Sequence, residues 1–246
     1  ARREAGGGRG RAVMAPDLAM ARLQEAAREL GFERAGVDSW QLNEGQLAAG
    51  VAILSGTDRF LNIQGVAGAG KSTLLGALDK VLGAEGVKLI GLAFQNKMVA
   101  DLRGGASGTM SVEQMKEAGI EAWTIAGFTN KHGSAAAQGS GERFAASKAA
   151  LSNTVIITDE SSMVSSRDML RLTAIAEQLD VAKAPFMGDR QQLSAIEQGK
   201  MFAVSQAAGQ ATVRMDENIR QRNSPLLLAV AGLSNEGHAS LALDLL

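Results

Sequence analysis

The chain has 246 residues, of which 46% are hydrophobic and 21% charged, and its formal net charge is −1. These values are ordinary for a globular protein with a sizeable core, and they exclude a chain that is strongly basic throughout. There is no cysteine, which excludes disulfides and thiolate metal sites. No apolar run approaches the roughly 20 residues of a membrane span, so we expect a cytoplasmic location without membrane insertion.

The first elements precede the main domain. Residues 1–15 are basic and Gly-rich and contain no apolar signal core, which predicts a flexible linker. Apolar residues at helical spacing then predict a small N-terminal helical segment over residues 16–39, with Pro16 as the start signal and Gly31 as the stop signal. A second helix is predicted after Asn43, whose side chain suits an N-cap.

From residue 40 to residue 223 the chain alternates between strands and helices. Strands are predicted at "RFLNIQG", "VKLIGLAFQ", "NTVIIT" and "APFMG", and the main helices at "KSTLLGALDKVLGAEG" and "SSRDMLRLTAIAEQL". The segment "GSAAAQGSGERFAASKAAL" predicts a polar loop that grades into a helix. Because the strands are apolar on both faces, we expect an α/β fold with a central, mainly parallel sheet flanked by helices.

The stretch "GVAGAGKST" fits the pattern G-x-x-x-x-G-K-[ST] and lies between a predicted strand and a predicted helix. Its glycines allow successive backbone N–H groups to face a phosphate, and the helix N-terminus adds partial positive charge. Lys71 is expected to reach the β/γ oxygens of ATP, and Ser72 to bind Mg²⁺. The predicted nucleotide-binding residues of this loop are Gly65, Gly68, Ala69, Gly70, Lys71, Ser72 and Thr73.

Two further segments follow predicted strands, at the sheet edge where such folds bind ligands. Asp159 is expected to hold the Mg²⁺ shell, and Glu160 to orient and deprotonate the attacking water. Gln192, just beyond the strand "FMGD", is a candidate for contact with both the γ-phosphate and that water. The alternative is that Glu160 and Gln192 are ordinary solvated residues. His132 and His238 lie far apart in sequence, and we expect no metal site from them.

The order of the motifs resembles that of superfamily 1 helicases, and more narrowly of their RecD-like branch. The segments that carry the resemblance are "LNEGQLAA", "GVAGAGKST", "AFQNKMVADLR", "TIAGF", "TDESSM", "GDRQQL" and "ENIRQ". The resemblance implies that Gln46 contacts the adenine edge, Arg220 the γ-phosphate, and Thr124 the DNA backbone. Gln95 departs from the pattern, because threonine is usual there, and this weakens a DNA contact at that position.

Residues 40–222 look most like the helicase part of conjugative relaxase–helicases of the TraI/TrwC type. The resemblance implies a RecA-like P-loop NTPase domain that uses ATP and Mg²⁺ to move on single-stranded DNA during plasmid transfer. Such helicases have two RecA-like domains with ATP between them. We expect the second to be absent from this chain, with residues 224–246 forming a helical segment that leads toward it. An isolated fragment of this kind is expected to be weakly active or inactive.

DNA is expected to cross the carboxyl edge of the sheet. The DNA-contact candidates are Asn96, Lys97, Thr124 and Lys131. Each has the alternative of being an ordinary solvated loop residue. Trp123 and Phe128 are candidates for stacking on a base, with core packing as their alternative.

Two other functions remain open from the sequence. The chain fits a recognition module that docks onto conjugation or type IV secretion machinery, with ATP hydrolysis secondary. It also fits a P-loop ATPase that is not a helicase, or a small-molecule kinase, although no Arg-rich lid is present. Intact Lys71, Asp159 and Glu160 favour a working ATP site over a docking surface.

Overall fold

The computed structural model describes residues 10–36, 40–65, 69–93, 121–189 and 201–215. In this part of the chain six strands form one sheet in the order β3-β2-β4-β5-β1-β6. Every pairing between them is parallel. The strands are β1 (Asn62–Gly65), β2 (Lys88–Ala93), β3 (Glu121–Thr124), β4 (Thr154–Thr158), β5 (Phe186–Gly188) and β6 (Thr212–Met215).

Helices cover both faces of the sheet, as the apolar strands require. The described helices are α1 (Pro16–Ala35), α2 (Glu44–Ser55), α3 (Lys71–Ala84), α4 (Ile125–Gln138), α5 (Glu142–Leu151), α6 (Ser166–Gln178) and α7 (Met201–Ala207), with a 3₁₀ turn at Ser161–Met163. One core cluster joins α1, α2 and α3 to the sheet, and a second joins α4, α6 and α7 to its other face. The predicted α/β fold with a parallel central sheet is confirmed.

The register of the central strands determines which residues meet at the carboxyl edge. Gln64 of β1 is level with Gly188 of β5, and Phe186 of β5 is level with Thr158 of β4. The turn after Thr158, which carries Glu160, packs against Gly188, because a Cβ at position 188 would lie 3.0 Å from the backbone nitrogen of Ser161. The three chain segments that carry the phosphate loop and the acidic groups leave the sheet side by side.

Helix α1 is longer and more integrated than its sequence predicts. It continues through Gly31 to Ala35, so the predicted stop at Gly31 is wrong. Leu23 and Leu30 are buried in the same core cluster as α2 and α3, and α1 packs against both helices. Tertiary packing outweighs the low helix propensity of one glycine, about 1 kcal/mol. The N-terminal helical segment is thus part of the main domain.

The end of the predicted flexible linker is docked rather than free. The N–H of Gly10 donates to the Thr57 carbonyl at 2.8 Å, and the N–H of Val13 donates to the Leu54 carbonyl at 2.7 Å. Residues 10–15 therefore form a strap across the loop that precedes β1. The prediction of a linker over residues 1–15 is wrong for this part, because these backbone groups find partners in the folded domain.

The predicted polar loop around residues 133–141 is mostly helix. Helix α4 runs to Gln138 and ends at Gly139, which has a φ of 66° in the left-handed C-cap conformation. His132 and Ala136 are buried against the neighbouring elements, so packing rather than local propensity maintains the helix.

None of the helices in the described ranges has the length and hydropathy of a membrane span. Residues 224–246 lie outside the described residues.

Candidate nucleotide-binding site

The phosphate loop connects the end of β1 to the start of α3. Gly70 is the N-cap of α3 and has φ 71° and ψ 35°, a left-handed conformation that favours glycine. It offers no side-chain cap to the first turn of the helix. The N–H of Thr73 donates to the Gly70 carbonyl at 3.1 Å. The N–H groups of Lys71 and Ser72 are the candidates for binding an anion, which the helix dipole also favours. The predicted contact at Gly68 lies outside the described residues.

Lys71 is folded back along the start of the loop. Its Nζ donates to the Gly65 carbonyl at 3.3 Å, and a Cβ added at Gly65 would lie 3.4 Å from its Cδ. The glycine thus leaves room for the lysine stem. Because this hydrogen bond is long and only partly buried, an incoming phosphate can replace it. Thr73 and Ser72 lie in the first turn of α3. The side chain of Ser72 is not among those that the structure describes.

Gln46 lies behind the phosphate loop, in the first turn of α2. Its side chain is 1% exposed. Its Oε1 accepts the N–H of Asn43 at 2.9 Å, while the Asn43 side chain accepts the N–H of Gln46, which completes a capping box. Its Nε2 donates to the carbonyls of Ala69 and Gly70, at 3.3 and 3.0 Å. The adenine contact remains a prediction, and in this structure both ends of the amide are bonded to protein.

The acidic pair leaves β4 in a tight turn. The N–H of Asp159 donates to the Leu92 carbonyl at 2.9 Å, and Oδ1 of Asp159 accepts the N–H of Glu160 at 2.8 Å. Glu160 has a φ of 48°, a left-handed conformation that is uncommon for a residue with a side chain. Such strain persists only where the surroundings impose it, and it clusters at functional sites.

Gly188 allows this turn to pack against β5. A Cβ at position 188 would lie 3.0 Å from the backbone nitrogens of both Ser161 and Ser162. The Ser161 hydroxyl donates to the Thr158 carbonyl at 2.8 Å and closes the turn. Gly188, the first residue of the motif "GDRQQL", therefore leaves space for the backbone of the turn in the motif "TDESSM".

Burial and mutual charge control the acidic cluster. Burial raises the pKa of Asp159, and the Lys71 ammonium and the Glu160 N–H oppose this shift. Burial also raises the pKa of Glu160, opposed by Lys71 and reinforced by the carboxylates of Asp159 and Asp189. Lys71 thus acts on two carboxyl groups, Asp159 and Glu160, and Asp189 adds a third negative group beside Glu160. Perturbed titrating groups of this kind favour a functional site.

The residues present fit a Mg²⁺–nucleotide complex. Oε2 of Glu160 is buried and has no hydrogen-bond partner among the described residues. This oxygen can therefore accept a hydrogen bond from a water molecule. Within the same ranges, no group of three or more His, Cys, Asp or Glu side chains could hold a metal alone. Mg²⁺ typically takes one or two carboxylates and completes its shell with phosphates and water, and the role of Asp159 in such a shell remains a prediction.

A buried amide relay, which sequence reasoning missed, supports Asp189. Gln64 donates from Nε2 to Oδ1 of Asp189 at 2.8 Å, and Gln206 of α7 donates to Oε1 of Gln64 at 3.2 Å. Two residues earlier on β1, Asn62 bonds Ser205 of α7 at 3.1 Å. The signal in the sequence was the pair of polar residues, Asn62 and Gln64, that alternate with the apolar residues Leu61 and Ile63.

The structure describes half of the DNA-contact candidates. Thr124 is the N-cap of α4, and its hydroxyl accepts the N–H of Gly127 at 3.0 Å. Lys131 is exposed and its Nζ lies 4.4 Å from the centre of the Trp123 ring. Phe128 is 2% exposed and packs against His132, so core packing is its role. Other predicted residues lie outside the described ranges: Asn96, Lys97, Gln192 and Arg220.

A Gly-rich loop between a parallel strand and a helix, with an acidic pair on a nearby strand of the same sheet, defines the class of P-loop nucleoside triphosphatases. Residues 41–246 match the sequence model of the family described as AAA domain. The chain belongs to this family, within which it is a helicase-like domain of the RecD-like type.

Curated relatives are conjugation proteins. The chain is 33% identical over 199 residues to the multifunctional conjugation protein TraI of Escherichia coli strain K12, a match that covers 79% of this chain and 10% of that protein. It is 29% identical over 170 residues to the probable conjugal transfer protein TraA of Sinorhizobium fredii strain NBRC 101917 / NGR234, covering 69% of this chain and 13% of that one. The chain therefore spans only about a tenth of the length of the relatives it matches.

The structure of the UvsW helicase from bacteriophage T4 is a distant neighbour. Its TM-score is 0.46 and its identity 11%, over 72% of this chain and 60% of that chain. A likeness at this level carries no functional argument, and the class stands on the sheet topology and the phosphate loop.

Proposed function

We propose that this chain is the first motor domain of a helicase that hydrolyses ATP and translocates on single-stranded DNA. The parent is proposed to be a cytoplasmic conjugative relaxase, which nicks plasmid DNA and unwinds it for transfer. One observation carries the proposal: at one edge of the sheet Glu160 lies within electrostatic range of Lys71, Asp159 and Asp189, and Lys71 also acts on Asp159. Oε2 of Glu160 is buried and has no hydrogen-bond partner in the described part of the chain. Such an oxygen near a lysine and a phosphate loop has a chemical use in hydrolysis and none in docking.

Each residue of the site has a proposed role. The loop N–H groups and Lys71 bind the β- and γ-phosphates, and Ser72 and Asp159 hold Mg²⁺, which when bound neutralises charge on the phosphates. Glu160 holds the attacking water through its free oxygen and accepts its proton. Gln192 and Arg220 are proposed to contact the γ-phosphate.

Single-stranded DNA is proposed to cross the carboxyl edge at β2, β3 and the start of α4. Thr124 and Lys131 lie there, and the chain after β2 leads to Asn96 and Lys97. Lys131 and the face of Trp123 together offer a cation and an aromatic ring, the two elements that bind single strands without sequence preference. The second wall of the ATP cleft is proposed to come from another RecA-like domain of the parent, and the parent to work with type IV secretion machinery.

The test uses the full-length parent with Lys71→Ala. We expect DNA-stimulated ATP hydrolysis and strand unwinding to fall by at least a hundredfold, because the lysine contacts the transferring phosphoryl group. Lys148→Ala, an exposed lysine of α5, is the matched control and should keep both activities. Unwinding at the wild-type rate by Lys71→Ala would refute the motor. Normal plasmid transfer without ATP hydrolysis would favour a docking module instead.

A further inference from the structure

The indole ring of Trp123 is held in a defined orientation on β3. Its Nε1 donates to a carboxylate oxygen of Glu121, two residues earlier on the same face of the strand. The first turn of α4 passes close to the ring, since a Cβ added at Gly127 would lie 3.6 Å from Cε3 of the indole. The ring also packs against the core cluster on this face of the sheet. The indole is therefore oriented before any ligand arrives.

One ammonium group covers the surface side of this ring. Lys131 of α4 places its Nζ 4.4 Å from the ring centre, which is within the range of a cation–π contact. Trp123 is half-buried and Lys131 is exposed. The ring face under the ammonium is therefore at the surface, and a ligand can reach it once the ammonium moves aside.

Glu121 carries a negative charge beside this pair. Burial acts to raise the pKa of its carboxyl, but the hydrogen bonds from Lys88 and Trp123 and the charges of Lys88 and Lys131 outweigh burial, so that the pKa is lowered. The ion pair of Glu121 is with Lys88 of β2, whereas Lys131 acts on it through charge alone. The carboxylate thus holds the indole in place, while the Lys131 ammonium can exchange the ring for another partner.

The ring lies at the carboxyl edge of the sheet, where single-stranded DNA is proposed to cross. Trp123 is level with Leu92 of β2 in the parallel register, and the Leu92 carbonyl accepts the N–H of Asp159. Strand β2 separates β3 from β4 in the sheet. A base on this ring would therefore lie at the same edge as the acidic pair, two strands away from it.

We propose that Trp123 is a base-stacking residue for single-stranded DNA, and that the Lys131 ammonium occupies the ring face until a base replaces it. This inference rests on the proposed function, because it names a contact for the same DNA strand. A base that stacks on an aromatic ring gains more free energy than a cation does over a ring at an exposed site, so the exchange favours DNA. The displaced ammonium then contacts a phosphate next to the stacked base.

Two ligands of equal length separate stacking from phosphate contact: oligo(dT) and an abasic oligonucleotide, which has the phosphates but no bases. Fluorescence anisotropy gives the Kd of each for the parent and its variants. We expect Trp123→Leu to lower the preference for oligo(dT) over the abasic ligand roughly tenfold, the size of one lost stacking contact. Trp123→Phe keeps an aromatic face and should keep most of the preference. Retained binding of the abasic ligand shows that a variant is folded.

A matched control comes from a second lysine that covers a ring. Nζ of Lys148 lies 6.0 Å from the ring centre of Phe144 on α5, and Phe144→Leu should leave the preference unchanged. Lys131→Ala tests the exchange itself. This variant should bind both ligands more weakly but prefer oligo(dT) about twofold to fivefold more than the wild type does, because no cation–π contact has to be broken.

The outcomes distinguish this inference from the proposed function. An unchanged preference in Trp123→Leu, or an equal loss in Trp123→Leu and Trp123→Phe, would overturn stacking on the ring. An unchanged or lower preference in Lys131→Ala would overturn the exchange. Each of these results leaves the DNA contact of the proposed function intact. If the wild-type parent bound neither ligand, the proposed function would fail together with the inference.

Discussion

Gln64 and Asp189 join the strand that leads into the phosphate loop to the strand that leads toward Gln192. The hydrogen bond from Nε2 of Gln64 to Oδ1 of Asp189 is 2.8 Å long, and both side chains are buried. Gln64 directly precedes Gly65, and Gln192 follows Asp189 by three residues in the sequence. The bond therefore links the start of the phosphate-binding segment to the start of the segment expected to contact the γ-phosphate.

Replacement of Gln64 should slow hydrolysis more than it weakens binding. In the parent, we expect Gln64→Leu to lower the kcat of ATP hydrolysis roughly tenfold with little change in KM, because the phosphate-binding loop remains while Asp189 loses a charge-assisted hydrogen bond. Steady-state kinetics check this. Asn62→Leu, on the same strand and bonded to α7 rather than to Asp189, is the control. Equal losses of kcat in both variants would show only a general effect on the strand.

Gly188 is expected to tolerate no side chain. Gly188→Ala places a Cβ 3.0 Å from the backbone nitrogens of Ser161 and Ser162, so the turn that carries Glu160 must move. We expect ATP hydrolysis by the parent to fall more than tenfold and unfolding free energy to fall by about 1–3 kcal/mol. Gly83→Ala, in α3 with nothing within 4 Å of the added Cβ, should leave hydrolysis unchanged and stabilise the chain by up to about 1 kcal/mol.

Asp79 should make the stability of the chain depend on pH. It lies in α3 with 8% exposure, and burial raises its pKa to about 7, against the opposing charge of Lys80. A carboxyl whose pKa is higher in the folded state binds more protons when folded. Its contribution to stability is therefore lost as pH rises from about 4 toward 7.

The variant Asp79→Asn should remove that loss. We expect its urea-unfolding free energy to exceed that of the wild type at pH 8 by up to about 4 kcal/mol, and to match it near pH 4. Asp17→Asn, on the exposed side of the first turn of α1, is the control. The same difference between wild type and Asp79→Asn at both pH values would contradict the assignment to this carboxyl.

Lys131 is expected to contribute one phosphate contact to DNA binding. For Lys131→Ala in the parent, we predict weaker binding of oligo(dT) and a salt dependence reduced by about 0.7 in the slope of log K against log salt, the value for one charge on a single strand. Fluorescence anisotropy at several salt concentrations measures it. Lys148→Ala is a matched control, because its ammonium also lies over a ring, 6.0 Å from the centre of Phe144. An unchanged slope in Lys131→Ala would show that Lys131 does not contact a DNA phosphate.

The pattern of neighbouring residues in the sequence was sufficient to predict the strands and the turns that carry the motifs. The apolar run at residues 154–158 could only be a buried strand, and Asn43 was a good N-cap because its side chain needs only the next turn of its own helix. Helix boundaries at small residues were missed. Gly31 and residues 133–138 have weak helix signals, and only contact with other elements shows that they stay helical.

The sequence by itself determined the class of this protein, because the phosphate loop and the acidic pair each depend on residues that are adjacent in the chain. Which side chains support them was decided only by the tertiary structure. Gln46 meets Gly70, and Gln64 meets Asp189, across separations of 24 and 125 residues. A glutamine has the same local preferences whether it binds a base, a backbone carbonyl or a carboxylate. Only the packing of α2 and the register of parallel strands select its partner.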